Sequence, residues 1–178
     1  VIDPIDGTKA FITGFPTWGT LIALQKNGVP IIGAMNQPFI GERFIGKPGK
    51  ATLNNEPIST RKCYQLSDAI LGITELEMLT NDSQRSAFDG VAQRVNYVRL
   101  GGDCYNYCLL AAGHIDLVIE GSLMPWDIQA LIPIVEAAGG IITSWNGQPV
   151  SNHGWVVAAG DSQIHAEAIK LLSNCQGV

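Results

Sequence analysis

The sequence predicts an α/β protein of α+β layered type: a meandering antiparallel half followed by a half in which helix and strand alternate. Two observations carry this. Up to about residue 60, short apolar runs are punctuated by glycine and proline, with Asn27-Gly28 the strongest hairpin signal among them. After Pro57, strand-like and helix-like segments take turns, the signature of α/β architecture. With 178 residues, 46% of them hydrophobic and 15% charged, the chain can bury one good core or two small domains sharing a face.

In order, Val1–Asp3 reads as the tail of a buried strand and Thr8-Lys9-Ala10-Phe11 as the first turn of a short helix. Thr17–Lys26 and Val29–Asn36 are the two arms of the hairpin, with Glu42–Ile45 and Ala51–Leu53 as further short strands. The second half gives a strand at Ala69–Thr74, a polar-faced helix at Asp82–Arg94 and a strand at Asn96–Leu100. A helix from Gly102 to Ala112, a strand at Ile115–Glu120 and a helix at Pro125–Ala138 come next. Strands at Gly140–Trp145 and Trp155–Ala159 and a helix at Asp161–Leu172 close the series. Pro125 suits a helix start, where its missing N–H would have no partner. Pro133 predicts a kink or two shorter helices. The domain boundary is placed near residue 60, giving residues 1–60 and 61–178.

A net charge of −5 without any lysine or arginine run argues against nucleic acid or an anionic membrane as partner. No apolar stretch is long enough to cross a bilayer, and no leader pattern opens the chain. Cys63, Cys104, Cys108 and Cys175 form no CxxC pair and read as structural thiols, Cys104 and Cys108 sharing one helix face. A reducing, cytoplasmic setting follows. His114, His153 and His165 share no ligand spacing and read as surface or turn residues. Trp18, Trp126, Trp145 and Trp155 read as core.

The chemistry starts in V-I-D-P-I-D-G-T, residues 1–8. A strand leaving a sheet can project Asp3 into the crevice at its carboxyl end, and Pro4 fixes the exit so that Asp6 swings back toward it. Two such carboxylates repel unless a cation or a proton lies between them. Hard divalent cations such as Mg²⁺ prefer these oxygens, often with a backbone carbonyl added. Amides at Gly7 and Thr8 could hold a phosphate, and the set suggests metal-assisted phosphoryl chemistry. An ordinary Asp-Gly turn is the competing reading. A calcium loop fails for want of alternating oxygen ligands and a distal glutamate.

D-P-I-D-G-T, followed downstream by P-W-D-I-Q-A-L-I-P-I-V-E-A-A-G-G (residues 125–140), resembles the inositol monophosphatase family of Mg²⁺-dependent, lithium-sensitive phosphatases. G-K-A-T-L-N-N-E-P-I-S and W-V-V-A-A-G extend the likeness over the whole chain. R-L-G-G-D-C-Y-N-Y-C-L-L-A-A-G-H-I-D-L-V-I-E (residues 99–120) and F-I-T-G-F-P-T-W-G-T-L-I-A-L (residues 11–24) are most similar to its histidinol-phosphatase branch. The resemblance implies an alternating α-β-α-β-α sandwich whose N-terminal helices precede this chain. It implies a homodimer and two or three Mg²⁺ ions per site. Asp3 would bridge two metals, the Ile5 carbonyl would complete the first, and Asp6 and Asp127 would bind the second. Asp127 could otherwise serve only the dipole of its helix.

Gly7 and Thr8 would bind phosphate together with Asp6, and Thr8 would orient the attacking water with a glutamate that the family places upstream. The implied activity is phosphate monoester hydrolysis, with histidinol phosphate, in histidine biosynthesis, as the leading substrate. Inositol monophosphate and other sugar or nucleotide phosphates are the alternatives. Gly102, Asp103 and Glu120 would face the leaving group. Asp103 suits a cationic one, or else caps a helix. Arg99 could pair with either acid rather than with phosphate, and Asp116 would serve structure. Two other readings compete. An aspartyl-nucleophile phosphatase uses D-x-D-G-T, but here the acids stand three apart. A chain lacking the upstream glutamate could instead act as a non-catalytic scaffold.

Overall fold

The computed structural model describes residues 1–150 and 154–173; His153 and Cys175 lie outside them. The first half forms one antiparallel sheet in chain order: β1 (Ile2–Asp6), β2 (Gly19–Lys26), β3 (Val29–Gln37), β4 (Glu42–Lys47), β5 (Lys50–Leu53) and β6 (Glu56–Pro57). The short helix α1 (Thr8–Thr13) bridges β1 and β2. The hairpin turns at Asn27 and Gly28, both at positive φ, with Lys26 paired to Val29. That is the two-residue turn whose twist matches its strands. Alternation then sorts β2, sending Leu21 and Ala23 inward and leaving Ile22 and Leu24 on the open face. β1 runs to Asp6 rather than stopping at Asp3, with a register shift between the two aspartates. β6 is a strand the sequence did not announce, since two residues carry no period.

The second half builds β7 (Ile70–Ile73), α2 (Asp82–Ala92), β8 (Tyr97–Leu100), α3 (Tyr105–Ala111) and β9 (Leu117–Leu123). It continues with α4 (Pro125–Ile128), α5 (Leu131–Ala137), β10 (Ile141–Ser144), β11 (Gly154–Ala159) and α6 (Ser162–Leu172). The sheet order is β10-β11-β9-β7-β8, with β7 parallel to both β8 and β9. Side chains of β9 and β11 alternate between two cores. Val118, Val156 and Ala158 face α3, α5 and the first sheet, whereas Leu117, Ile119, Val157 and Ala159 face α2 and α6. Strands covered on both faces need apolar residues at nearly every position, which is why LVI and WVVAA read as unbroken runs. The layers run sheet, helix, sheet, helix.

Three boundaries differ from the sequence reading for physical reasons. α3 starts at Tyr105, not Gly102, because Gly101, Gly102 and Asp103 all have positive φ, which a right-handed helix cannot include. β9 extends to Leu123, so Glu120 is internal to the strand rather than its end. The stretch from Pro125 divides into two shorter helices, α4 and α5, one of the two outcomes expected from Pro133, although the break falls before Pro133, which stands in the first turn of α5. Trp145 is fully buried, but Trp126 is 45% exposed and does not belong to the core.

α5 lies directly on β3 and β4. The approach is so close that a Cβ on Gly33 would stand 1.8 Å from the Ala130 carbonyl oxygen, and one on Gly46 would stand 2.3 Å from the backbone of Pro133 and Ile134. Gly33→Ala must therefore push α5 off the sheet. The expected cost is about 2 kcal/mol, the scale of overpacking a close-packed core. A thermal melt of the variant showing no loss would contradict this contact.

Candidate active site

The topology selects the place. α2 leaves β7 on one face of the second sheet and α3 leaves β8 on the other, while β7 pairs with β8 and β9 on opposite sides. A parallel sheet whose crossovers part in this way opens a crevice at the carboxyl ends of its strands. Thr74 follows the end of β7, and Glu120 of β9 reaches it: the Thr74 N–H donates to Glu120 Oε1 at 3.1 Å, and the Thr74 hydroxyl donates to the same oxygen. β1, α4 and the turn before α3 bring the remaining acids to this crevice.

Asp3, Asp6 and Asp127 each offer a carboxylate oxygen, and the three oxygens lie within 4.8 Å of one another. Each carboxylate is held by one backbone amide. Ile5 N–H donates to Asp3 Oδ1 at 3.1 Å, Cys104 N–H to Asp6 Oδ2 at 2.9 Å, and Met124 N–H to Asp127 Oδ2 at 2.8 Å. Asp127 thus binds back to the start of its own short helix and also joins the cluster. Binding its own helix start does not take it out of the cluster.

Burial pushes Asp6 up to about 7, with the charges of Asp127 and Asp3 adding to the effect and the Cys104 hydrogen bonds opposing it. Asp127 is raised as well, first by burial, then by Asp3, against the Met124 bond. No ion pair among the described residues relieves any of the three. An all-oxygen set of crowded, uncompensated carboxylates fits a hard divalent cation such as Mg²⁺. The Ile5 carbonyl accepts the Thr8 hydroxyl at 3.2 Å and keeps a second lone pair for such an ion.

Gly7 caps α1 at φ 76°, a conformation that favours glycine, and the first amides of a helix have no intrahelical acceptor. Asp103 lies against it: a Cβ on Gly7 would fall 2.8 Å from Asp103 Cγ. Asp103 stands in the turn before α3 and makes no side-chain cap; its Oδ2 accepts the Thr17 hydroxyl at 2.5 Å. A pocket of about 140 Å³ joins Asp6, Asp103, Glu120 and Asp127 with Thr74 and Tyr107. A larger cleft of about 610 Å³ adjoins it and shares Gly7, Thr74 and Asp103. Gly102 lines that larger cleft, not the acidic pocket; at φ 121° it lets Asn106 pack where a Cβ would be.

Glu120 is fully buried and pushed up to about 7 by that burial, the bonds from Thr74 and the nearby Tyr107 hydroxyl opposing the shift. Arg99 lines the larger cleft and pairs with no acid among the described residues, contrary to expectation. Asp116 is structural: it accepts from the Arg61 guanidinium and, at 2.8 Å, from the Ile70 N–H. His165 meets the Thr143 hydroxyl at 2.9 Å, away from the site. Sequence reasoning missed Thr74, Tyr107 and Thr17. Thr74 had a usable signal, since it follows an apolar parallel strand at the edge where α/β proteins bind ligands. Thr17 and Tyr107 had none.

Known proteins resemble the chain over nearly its whole length. The model of the inositol monophosphatase family matches residues 1–177. The bifunctional phosphatase IMPL2, chloroplastic, of Arabidopsis thaliana is 48% identical over 97% of this chain and 52% of its own length. A histidinol-phosphatase of Mycobacterium tuberculosis is 33% identical over 97% of this chain and 68% of its own. Among solved structures, an inositol monophosphatase from Zymomonas mobilis superposes with a TM-score of 0.93 at 44% identity, covering 97% of this chain and 69% of that one. The chain spans about half the length of the Arabidopsis relative.

Proposed function

Because the chain belongs to the inositol monophosphatase family, we propose that the protein is a Mg²⁺-dependent phosphate monoester hydrolase whose preferred substrate is histidinol phosphate. The observation that carries this is the convergence of Asp3, Asp6 and Asp127 beside the amides that open α1. Asp3, Asp6 and Asp127, with the Ile5 carbonyl, would hold the cations. Bound cations, two or three per site, would supply charge neutralisation and Lewis-acid activation, with the lithium sensitivity of the family. Gly7 and Thr8 amides, near Asp6, would hold the phosphate oxygens.

A water attacks the phosphorus in line with the departing alcohol oxygen, and no phosphoenzyme forms. Thr8, whose hydroxyl donates to the Ile5 carbonyl, keeps lone pairs to accept a hydrogen bond from that water and orient it, alongside the glutamate the family places upstream. Asp103, in a turn rather than a cap, presents its carboxylate to a cationic leaving group, with Glu120 and Gly102 on the surrounding walls.

Support for histidinol phosphate is the naming of relatives: the M. tuberculosis protein, and a Chlorobaculum parvum histidinol-phosphatase at 36% identity. Inositol monophosphate is the second reading, favoured by the Zymomonas mobilis structure at 44% identity. Residues 1–60 and 61–178 are read as two domains of a homodimer. Cys63, Cys104 and Cys108 are buried free thiols, which suits a reducing compartment such as the cytoplasm; the Arabidopsis relative is named as chloroplastic. No helix among the described residues is long and apolar enough to cross a membrane.

The test is phosphate release by the full-length protein from histidinol phosphate and inositol monophosphate, with Mg²⁺ and with chelator. Release that persists under chelation would overturn the metal requirement, and none from either ester would overturn the hydrolase reading and leave the scaffold alternative. In the same assay Asp103→Ala is expected to weaken histidinol phosphate about tenfold more than inositol monophosphate, the scale of one hydrogen bond to a charged group. Equal losses would remove Asp103 from substrate choice.

A further inference from the structure

Tyr107 lines the acidic pocket and has no role in the mechanism above. It rides on α3 with Cys104, Cys108 and Ala111, whose spacing puts all four on the buried face. Its ring belongs to the core between the sheets, yet it also lines the small pocket beside Asp6, Glu120 and Asp127. The hydroxyl is buried there and makes no hydrogen bond of ordinary geometry. It stands near enough to the Glu120 carboxylate to ease part of the cost of burying that charge.

Buried hydroxyls in folded proteins nearly always have a partner, and an unmade bond costs stability. A phenylalanine would fill the same space without that cost. Burial, reinforced by Glu120, raises the phenol well above its ordinary value, so it stays neutral and keeps a proton to donate. Thr74 occupies Glu120 Oε1 twice, which leaves the other carboxylate oxygen for the pocket.

Resting on the phosphatase reading, we propose that the Tyr107 hydroxyl is a specificity-determining contact to the leaving group, donating to an acceptor there while Glu120 accepts from a neighbouring donor. The pair selects a neutral group that both gives and takes a hydrogen bond, either an imidazole or an alcohol. An alkylammonium can only give, and a plain alkyl chain can do neither. The pocket therefore divides its work: Asp103 takes a positive charge, and Tyr107 with Glu120 takes the ring or hydroxyl beyond it.

The experiment is Tyr107→Phe in the full-length protein, assayed on histidinol phosphate, inositol monophosphate and propyl phosphate. The expected result is a fall in kcat/KM of about tenfold on an ester that carries the recognised group, and no change on propyl phosphate. Loss on the first ester identifies an imidazole, loss on the second an alcohol. Equal loss on all three, or no loss on any, overturns the proposal.

A melt of the chelated protein supplies a reading independent of turnover. The midpoint should fall by no more than about a degree, because the hydroxyl makes no hydrogen bond of ordinary geometry and only eases the Glu120 charge; a fall of several degrees means that Tyr107 serves the fold and overturns the proposal. If the wild type releases phosphate from none of the esters, the phosphatase reading fails. Calorimetric binding of histidinol and inositol then decides Tyr107 by itself. Binding of either that weakens about tenfold in the variant supports the contact, and equal binding, or none by the wild type, overturns it.

Discussion

Asp127→Asn in the full-length protein is expected to lower Mg²⁺-dependent phosphate release by about a thousandfold while leaving the fold intact. The size follows from what a bound cation contributes, several kcal/mol of charge stabilisation at the reacting phosphate, and about 4 kcal/mol is three decades in rate. The fold should survive because asparagine retains a carbonyl oxygen, which can still accept the Met124 N–H that Asp127 accepts at 2.8 Å. The substitution also removes one of three carboxylates held within 4.8 Å of one another. The metal-free variant should therefore melt no lower than the wild type. Mg²⁺ should raise the midpoint of the wild type, by mass action on the folded state, and should no longer raise that of the variant. Undiminished activity with an intact Mg²⁺ response would remove Asp127 from the metal set. A variant that loses activity and fold together would show that its bond to α4, not its charge, is what the protein needs.

The parts of this arrangement that the sequence revealed are those where local chemistry and distant chemistry agree. Asn27-Gly28 sets its turn by its own backbone preferences, so the hairpin was legible from two residues. Asp3 and Asp6 were legible as a pair because Pro4 and Gly7 constrain the chain around them. What joins them to Asp127 and Glu120 is long-range. The Cys104 amide holding Asp6 is 98 residues away, and Thr74 is 46 residues from the Glu120 it binds. No periodicity encodes such partners.

The errors have the same origin. Gly101, Gly102 and Asp103 look like the polar lead-in to a helix, yet their backbone turns left-handed so that Asn106 can lie over Gly102. Glu120 looks like a strand end because it is charged. It is internal, because β9 runs on to Leu123, which pairs with Gly154 of β11. Trp126 looked like core on composition alone, whereas its short helix leaves it half in water.

Glu120→Gln is the second large effect, and its sign is set by pH. Burial raises the Glu120 carboxyl from 4.5 to about 7 in the folded chain. A raised acid contributes stability that is fully present below its unfolded value and lost as pH rises through its folded value. At pH 8 the wild type therefore carries an ionisation cost on the order of 3 kcal/mol, which glutamine does not carry. Glutamine keeps an acceptor for the Thr74 amide and hydroxyl, so the geometry has no reason to collapse. The chelated variant should melt several degrees above the chelated wild type at pH 8, and the gap should close toward pH 4. A gap of constant size across that range would mean that Glu120 binds its proton equally in the folded and unfolded chain, without the shift. Weaker hydrolysis of histidinol phosphate by the same, more stable variant would show why the protein keeps a buried charge that its fold does not want: the carboxylate is held there for the leaving group.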